Sequence, residues 1–229
     1  MTRKPLELNL SQRWAIIGAT GSGKTTFAVK LIARYLIFYS LMLPIYIIDP
    51  KNVGDFKGFF PYVGQEVSDN SIPELGIRQR GKPVTLWHPE SDNLEVYSQF
   101  FELLLWGAKK HKMPGLLVID EIGSITTKSG EAPESFDKLE RQGRGLKIPI
   151  IGLSQSSAKV PFSLLRQASY IVLFVIDEEY DQKKLVSYFG PIAKQPPPNK
   201  YGFYLRNKQV PLAFEPVHYY RNAQQLFQE

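Results

Sequence analysis

At 229 residues and 43% hydrophobic side chains, the chain is long enough to bury a substantial core and fits one α/β domain without demanding two. The absence of cysteine excludes disulfides and thiolate metal sites and agrees with an intracellular protein. A formal charge of +6 suits a polyanionic partner but equally an ordinary solvated surface, so charge alone decides little.

The N-terminus, Met1-Thr-Arg-Lys-Pro5, lacks the apolar segment of a signal peptide. Residues 1–13 read as a lead-in, with Leu6, Leu8 and Leu10 alternating as in an edge strand beside a nucleotide base. Trp14 to Ile17 is a short buried strand, followed by a glycine-rich stretch and by a helix from Thr26. That helix carries Phe27, Leu31, Tyr35 and Tyr39 at helical spacing, widened by Ala28, Ile32, Leu36 and Leu43, and Pro44 closes it. Ile45 to Ile48 is a second buried strand leading to Asp49-Pro-Lys51. The most apolar stretch, residues 31–48, is interrupted by Arg34 and Pro44, so no transmembrane segment is expected.

Residues 52–83 are rich in Gly, Pro and polar side chains and read as irregular with one short helix. Val84 to Trp87 is a third strand, and Asn93 to Lys110 a helix with Asp92 as its cap and Leu94, Phe100, Phe101, Leu104 and Leu105 facing the core. The cations at its end, Lys109 to Lys112, suit a helix C-terminus better than a phosphate patch. Leu116 to Ile119 is a central parallel strand delivering Asp120 and Glu121 to its end. A helix over Glu134 to Gln142, a strand over Ile148 to Leu153 reaching Ser154-Gln155, a strand over Ser169 to Ile176 and a helix over Glu178 to Phe189 follow. Pro196 to Pro198 mark a loop, and Tyr201 to Leu205 with Val210 to Phe214 resemble a closing hairpin. Alternating strands and helices make the class α/β with a mostly parallel sheet. A single domain over residues 1–229 is expected, with its core at about 10–190 and the hairpin and tail at about 196–229.

The chemistry starts from Gly18-Ala-Thr-Gly-Ser-Gly-Lys24-Thr25, which fits G-x-x-x-x-G-K-[ST] between a strand and a helix. Gly18, Ala19, Thr20, Gly21, Ser22, Gly23, Lys24, Thr25 and Thr26 are the expected nucleotide contacts: backbone N–H groups and Lys24 hold the β- and γ-phosphates of ATP, and Thr25 binds Mg²⁺. Hydrolysis also needs a metal ligand and an oriented water. Asp120 is placed to hold Mg²⁺ directly or through water, and Glu121 to align the water or accept its proton. The Gln155 amide, at the end of the next strand, could sense the γ-phosphate. Arg141 and Arg144 could reach a neighbouring subunit's site as an arginine finger. His88, His111 and His218 show no ligand spacing and are read as surface or core histidines.

Together, Gly18 to Thr25, Asp49-Pro-Lys51, Leu116 to Glu121 and the run from Gln142 through Gly-Arg-Gly to Ser154-Gln155 resemble the FtsK/HerA superfamily of ring-forming DNA-pumping ATPases over roughly residues 10–175. The resemblance implies a P-loop NTPase of RecA/ASCE type, a sensor role for Gln155, a finger role for Arg144 or Arg141, and translocation of duplex DNA through a homo-oligomeric ring, a hexamer or a pentamer. The chain is similar to FtsK without its membrane anchor or winged-helix tail and to HerA without its N-terminal barrel. That economy looks most like the genome-packaging ATPases of internal-membrane, double-jelly-roll viruses. A capsid, vertex or viral membrane protein as partner, and the host cytoplasm or the virion vertex as location, follow from that likeness alone.

Lys128, in the loop over residues 123–133, and Lys159, in the loop over residues 156–161, are candidate DNA contacts, since a pore grips phosphates without reading sequence. An ATPase for phage extrusion or conjugation is the alternative from the same chemistry. A P-loop small-molecule kinase and a non-catalytic switch are disfavoured by the acidic pair and Gln155.

Overall fold

The structure, a computed structural model, describes residues 8–51, 56–75, 81–90, 93–112, 114–127, 130–208 and 217–227. Strands β1 (Arg13–Ile17), β2 (Ile45–Ile48), β3 (Val63–Val67), β4 (Val84–Trp87), β5 (Leu116–Ile119), β6 (Ile150–Ser154), β7 (Tyr170–Leu173), β8 (Phe203–Asn207) and β9 (His218–Tyr220) form a sheet ordered β3-β4-β2-β5-β6-β1-β7-β8-β9. The first seven are parallel; β8 and β9 close the edge antiparallel. Helices α1 (Lys24–Phe38), α2 (Leu94–His111), α3 (Glu134–Gln142), α4 (Phe162–Gln167), α5 (Glu179–Phe189) and α6 (Ala223–Phe227) cover both faces.

The pleat explains why the central strands are apolar throughout. On β1, Trp14 and Ile16 pack with α1 and α6, whereas Ala15 and Ile17 point the other way, toward α2, α3, α4 and α5. Phe27, in the first turns of α1, is fully buried and meets Phe203 at 5.1 Å and Phe227 at 5.5 Å between ring centroids, which fixes the helix directly beyond the glycine loop.

Because β1 through β7 are parallel, the sheet has two chemically different edges. The strands end together at one edge, where ligands collect in open α/β sheets, and begin together at the other. The beginning edge is tied by Arg13, whose guanidinium is fully buried; it donates to a Glu140 carboxylate oxygen at 3.1 Å and to the Glu140 carbonyl at 2.8 Å, locking α3 to β1. Burial pushes the Glu140 carboxyl up to about 7, against the pull of Arg13, and lowers Arg13 from its ordinary value.

Several local expectations need correction. Leu8 and Leu10 lie in irregular, turn-forming chain rather than an edge strand; Leu6 falls outside the described residues. The first helix stops at Phe38, so Tyr39 and Leu43 are beyond it, because Ser40 and Leu41 turn into the left-handed region before Pro44 is reached. The 52–83 region carries a 3₁₀ turn over Lys57–Tyr62 and also a strand, β3. Asn93, not Asp92, caps α2: its side chain accepts from the Val96 N–H at 3.3 Å, and Asp92 lies outside the described residues. The expected hairpin strand at 210–214 also lies outside them; the antiparallel partner of β8 that is described is β9.

Candidate active site

The glycine loop leaves the end of β1 and is pinned from both sides: the Gly18 N–H donates to the Ser154 carbonyl at 3.1 Å, and the Ala19 N–H to the Val175 carbonyl at 2.7 Å. At Gly18 a Cβ would lie 2.5 Å from the Phe174 Cβ, and Gly23 holds φ +104°, so both positions require glycine if the loop is to curl back on itself. The loop then opens into the N-terminus of α1, where unsatisfied N–H groups point outward and favour a phosphate.

Lys24 is buried in the loop and donates to the Ala19 carbonyl at 2.8 Å. Burial lowers its pKa, while Glu121 and then Asp120 pull it back up. Buried inside the same loop, the Ser22 hydroxyl has no partner among the described residues, which fits a polar ligand. Thr25 and Thr26 occupy the first turn of α1, and Thr20 and Gly21 the exposed crest. This donor set, backbone N–H groups around one ammonium with hydroxyls at the helix start, matches a triphosphate with its metal ion.

Two strands away in the sheet, β5 ends at buried Asp120 and at Glu121. Glu121 adopts φ +66°, a strained conformation for a side chain with a Cβ, and so turns out of the strand line as the 3₁₀ turn Ile122–Ile125 begins. Its carboxylate is paired with Lys51 at 3.1 Å, and the Ser154 hydroxyl, which donates to the Ser156 carbonyl at 2.8 Å, lies 3.4 Å from it. Asp49-Pro-Lys51, Asp120-Glu121 and Ser154 thus converge from the ends of three adjacent strands upon the edge that carries the glycine loop. The Lys51–Glu121 contact joins residues 70 positions apart, and periodicity carries no signal for it. Replacing Lys51 with methionine is expected to lower kcat for ATP hydrolysis about tenfold with KM within about twofold, since only the orientation of the carboxylate is lost. Steady-state kinetics check this, and an unchanged kcat would remove Lys51 from a positioning role.

Gln155 is exposed immediately beyond β6, one residue past the carbonyl that pins Gly18. The loop following it is clamped from α5. Asp181, buried, accepts from the Ser156 hydroxyl at 3.0 Å, the Ser157 hydroxyl at 2.8 Å and the Ala158 N–H at 2.9 Å, while Lys184 donates to the Ser157 carbonyl at 2.7 Å. Sequence reading missed this clamp. It also seats exposed Lys159 against the preceding acidic loop: a Cβ on Gly123 would lie 3.0 Å from the Lys159 Cβ. Lys128 lies outside the described residues.

The structure does not bring Arg141 or Arg144 to this chain's own glycine loop. Arg141 ends α3 and Arg144 lies in the turn into β6, at the edge where strands begin; Arg144 donates to the Gln167 carbonyl at 2.8 Å. Both line a groove of about 940 Å³ between α3 and α4, together with Arg166 and Lys208. Of the histidines, His88 is buried at the end of β4, its Nδ1 2.8 Å from the Asp49 carbonyl oxygen. His111 is exposed against the Trp106 ring, and His218 begins β9.

Beside the loop, Tyr201 packs its ring 3.4 Å from where a Gly23 Cβ would sit and is 53% exposed. It opens a cavity of about 680 Å³ shared with Asn199, Tyr219 and Arg221, large enough for a nucleoside. An exposed aromatic ring in that position offers a stacking face for a base.

A family model described as the central domain of the helicase HerA matches residues 3–204. No curated protein matches the chain. Among solved structures, the genome-packaging NTPase B204 of Sulfolobus turreted icosahedral virus 2, in complex with ATP-gammaS, is 15% identical with a TM-score of 0.73, covering 94% of this chain and 99% of that one. The DNA-packaging ATPase B204 of Sulfolobus turreted icosahedral virus is 17% identical with a TM-score of 0.70, at the same coverage. EssC (ATPases 2 and 3) of Geobacillus thermodenitrificans is 13% identical with a TM-score of 0.62, covering 86% of this chain and 38% of that one.

Proposed function

The chain belongs to the HerA central-domain family and is an ATPase of FtsK/HerA type, and on that premise we propose that it is an ATP-driven motor that moves double-stranded DNA, most like the packaging ATPases. The observation that carries the reading is the convergence, at one sheet edge, of the glycine loop, Asp120, the Lys51–Glu121 pair and the clamped loop bearing Lys159. Full-chain likeness to two viral packaging ATPases supports packaging over extrusion or conjugation.

In this reading Gly18 to Thr26 hold the phosphates of ATP, and Thr25 with Asp120 would hold Mg²⁺, which supplies charge neutralisation for phosphoryl transfer. Glu121 aligns the attacking water and takes its proton at a carboxylate oxygen. Gln155 senses the γ-phosphate at the root of the clamped loop, so that loss of phosphate is transmitted to Lys159 through Ser156 to Ala158. Arg144 or Arg141 serves a neighbouring subunit, because each lies at the opposite edge from its own glycine loop. A head-to-tail ring, in which the groove between α3 and α4 that carries these arginines faces the glycine loop of the next subunit, meets that requirement.

The reading is tested by ATP hydrolysis with and without duplex DNA, alongside particle mass. Stimulation of several-fold or more in a ring-sized particle is expected; phosphate transfer to a small acceptor without DNA dependence would instead establish a kinase. Within that assay, Lys159→Ala should weaken duplex binding and reduce the slope of log affinity against log salt by about one, the loss of one phosphate contact. An unchanged slope would take Lys159 out of the DNA path. For the base, Tyr201→Ala is expected to weaken ATP binding about tenfold while leaving inorganic tripolyphosphate within about twofold, as loss of one stacking face predicts. Equal loss for both ligands in a fluorescence titration would assign Tyr201 to the loop's structure instead.

A further inference from the structure

Beyond the arginine groove between α3 and α4, the edge at which the strands begin carries a surface that the motor reading does not use. Helices α1 and α2 lie on opposite faces of the sheet but both end there, entering the adjacent strands β2 and β5. Their ends are linked, since the Leu116 N–H donates to the Pro44 carbonyl at 2.8 Å.

The α1 end is an exposed apolar tip: Ile37 is 75%, Phe38 63% and Met42 66% exposed, with Leu41 beside them. It is a built turn rather than a frayed end. The Leu41 N–H donates to the Leu36 carbonyl at 2.9 Å and the Met42 N–H to the Tyr39 carbonyl at 2.9 Å. Ser40 and Leu41 hold φ +50° and +59°, strain that only a fixed local structure sustains in non-glycine residues. The α2 end sets Trp106 at the surface with the Lys110 ammonium 5.1 Å from its ring centroid, an arrangement suited to a boundary between water and an apolar phase.

Charge separates the possible occupants. From residue 30 to 48 and from 103 to 119 there is no Asp or Glu, while Arg34, Lys109, Lys110 and Lys112 are present and exposed. The other turns entering strands at this edge, residues 81–83 and 141–149, contribute Lys82, Arg141, Arg144 and Lys147 and again no acid. The carboxylates Asp49, Asp120, Glu121, Asp177 and Glu178 fall at the ends of strands, on the far edge. This charge suits a polyanionic partner. Nucleic acid accounts for the cations but offers no burial to four adjacent apolar side chains. In a second copy the apolar counterpart among the described residues is the same tip, the other exposed large apolar side chains away from this surface being the single aromatics Tyr62, Phe162, Tyr180 and Tyr201, and a tip-to-tip contact would bring the cations of both copies together. An anionic bilayer satisfies both features, with the tip entering the acyl boundary and the lysines the headgroups.

We propose that this edge is a peripheral membrane-binding surface for anionic lipid, with Ile37, Phe38, Leu41 and Met42 inserting and Lys109, Lys110 and Lys112 pairing with headgroups. Bound in this way, the protein carries its ATP site on the edge turned away from the bilayer.

The test is sedimentation of the full chain with vesicles of phosphatidylcholine alone or with about one third phosphatidylglycerol. Two variants accompany it: Phe38→Ser/Met42→Ser and Lys109→Glu/Lys110→Glu/Lys112→Glu. All five residues are exposed and outside the ATP site, so thermal melting and vesicle-free ATP hydrolysis should match wild type. Wild type is expected to bind the anionic vesicles at least tenfold more tightly than the neutral ones, and each variant to lose about tenfold or more. Trp14 and Trp87 are buried, so quenching by brominated lipid reports Trp106 and should appear with wild type only. The proposal is overturned by no preference for anionic vesicles or by retained binding of the Phe38→Ser/Met42→Ser variant. It is equally overturned if the lysine variant loses duplex DNA while wild type ignores vesicles, which would make this edge a nucleic-acid surface. A change in particle mass of the Phe38→Ser/Met42→Ser variant without vesicles would make it a subunit interface.

Discussion

Replacing Glu121 with glutamine is expected to lower ATP turnover by about a hundred- to ten-thousandfold while leaving ATP binding within about threefold, the range for removing a general base. Glutamine keeps the size of the side chain and an oxygen beside the Ser154 hydroxyl, so the strained turn at the end of β5 should survive. It cannot accept a proton, and it no longer carries the charge that pairs with Lys51 at 3.1 Å. Single-turnover hydrolysis and nucleotide titration on the same preparation separate the two effects. Turnover within tenfold of wild type would remove Glu121 from the chemistry and leave the site with binding alone.

The second large effect concerns stability. Arg13→Met should cost about 3–5 kcal/mol of folding free energy at pH 8, the penalty for leaving a buried carboxyl without its partner. Burial raises Glu140 to about 7, so between its ordinary value near 4.5 and about 7 the folded chain holds a proton that the unfolded chain releases. Stability from this group is therefore complete below pH 4.5 and declines as pH rises through 7. Without the Arg13 guanidinium the carboxyl is pushed higher still, and the cost of the substitution should shrink toward pH 5, where the carboxyl is protonated in either protein. Denaturant unfolding at the two pH values checks the sign. An equal loss at both, or a loss below about 1 kcal/mol, would show that the pair does not hold α3 to β1.

Much of the fold was legible because its strongest signals are contiguous. Trp14 to Ile17, Ile45 to Ile48, Val84 to Trp87 and Leu116 to Ile119 are apolar runs of the length of a buried strand, and the structure makes each a strand of the sheet. Strand β3 escaped because its sequence, Val-Gly-Gln-Glu-Val, is a half-exposed edge with one glycine and two polar residues. Helix α4 has six residues, too few for an apolar period to repeat. The glycine loop and the acidic pair were visible as motifs. The groups that orient them were not: Lys51 reaches Glu121 across 70 residues, and Asp181 reaches the loop after Gln155 from 23 to 25 residues away. Such contacts arise from strand order, which local pattern does not encode. The arginines show the same limit in reverse, since Arg-Gln-Gly-Arg suggested a finger and only the topology places it on the edge away from its own phosphate loop.

That separation is the core of the account, because it makes each chain contribute two unlike halves to two different sites. It is tested most directly by mixing Lys24→Ala subunits, which keep the arginines but lack the phosphate-binding ammonium, with Arg141→Ala/Arg144→Ala subunits, which keep the loop but lack either finger, and measuring ATP hydrolysis against the mixing ratio. Each variant alone should fall to a few per cent of wild-type turnover or less, and mixtures should regain activity with a maximum near equal proportions. Full turnover by the Arg141→Ala/Arg144→Ala variant alone, or mixtures as inactive as their components, would contradict a site completed by the neighbouring subunit.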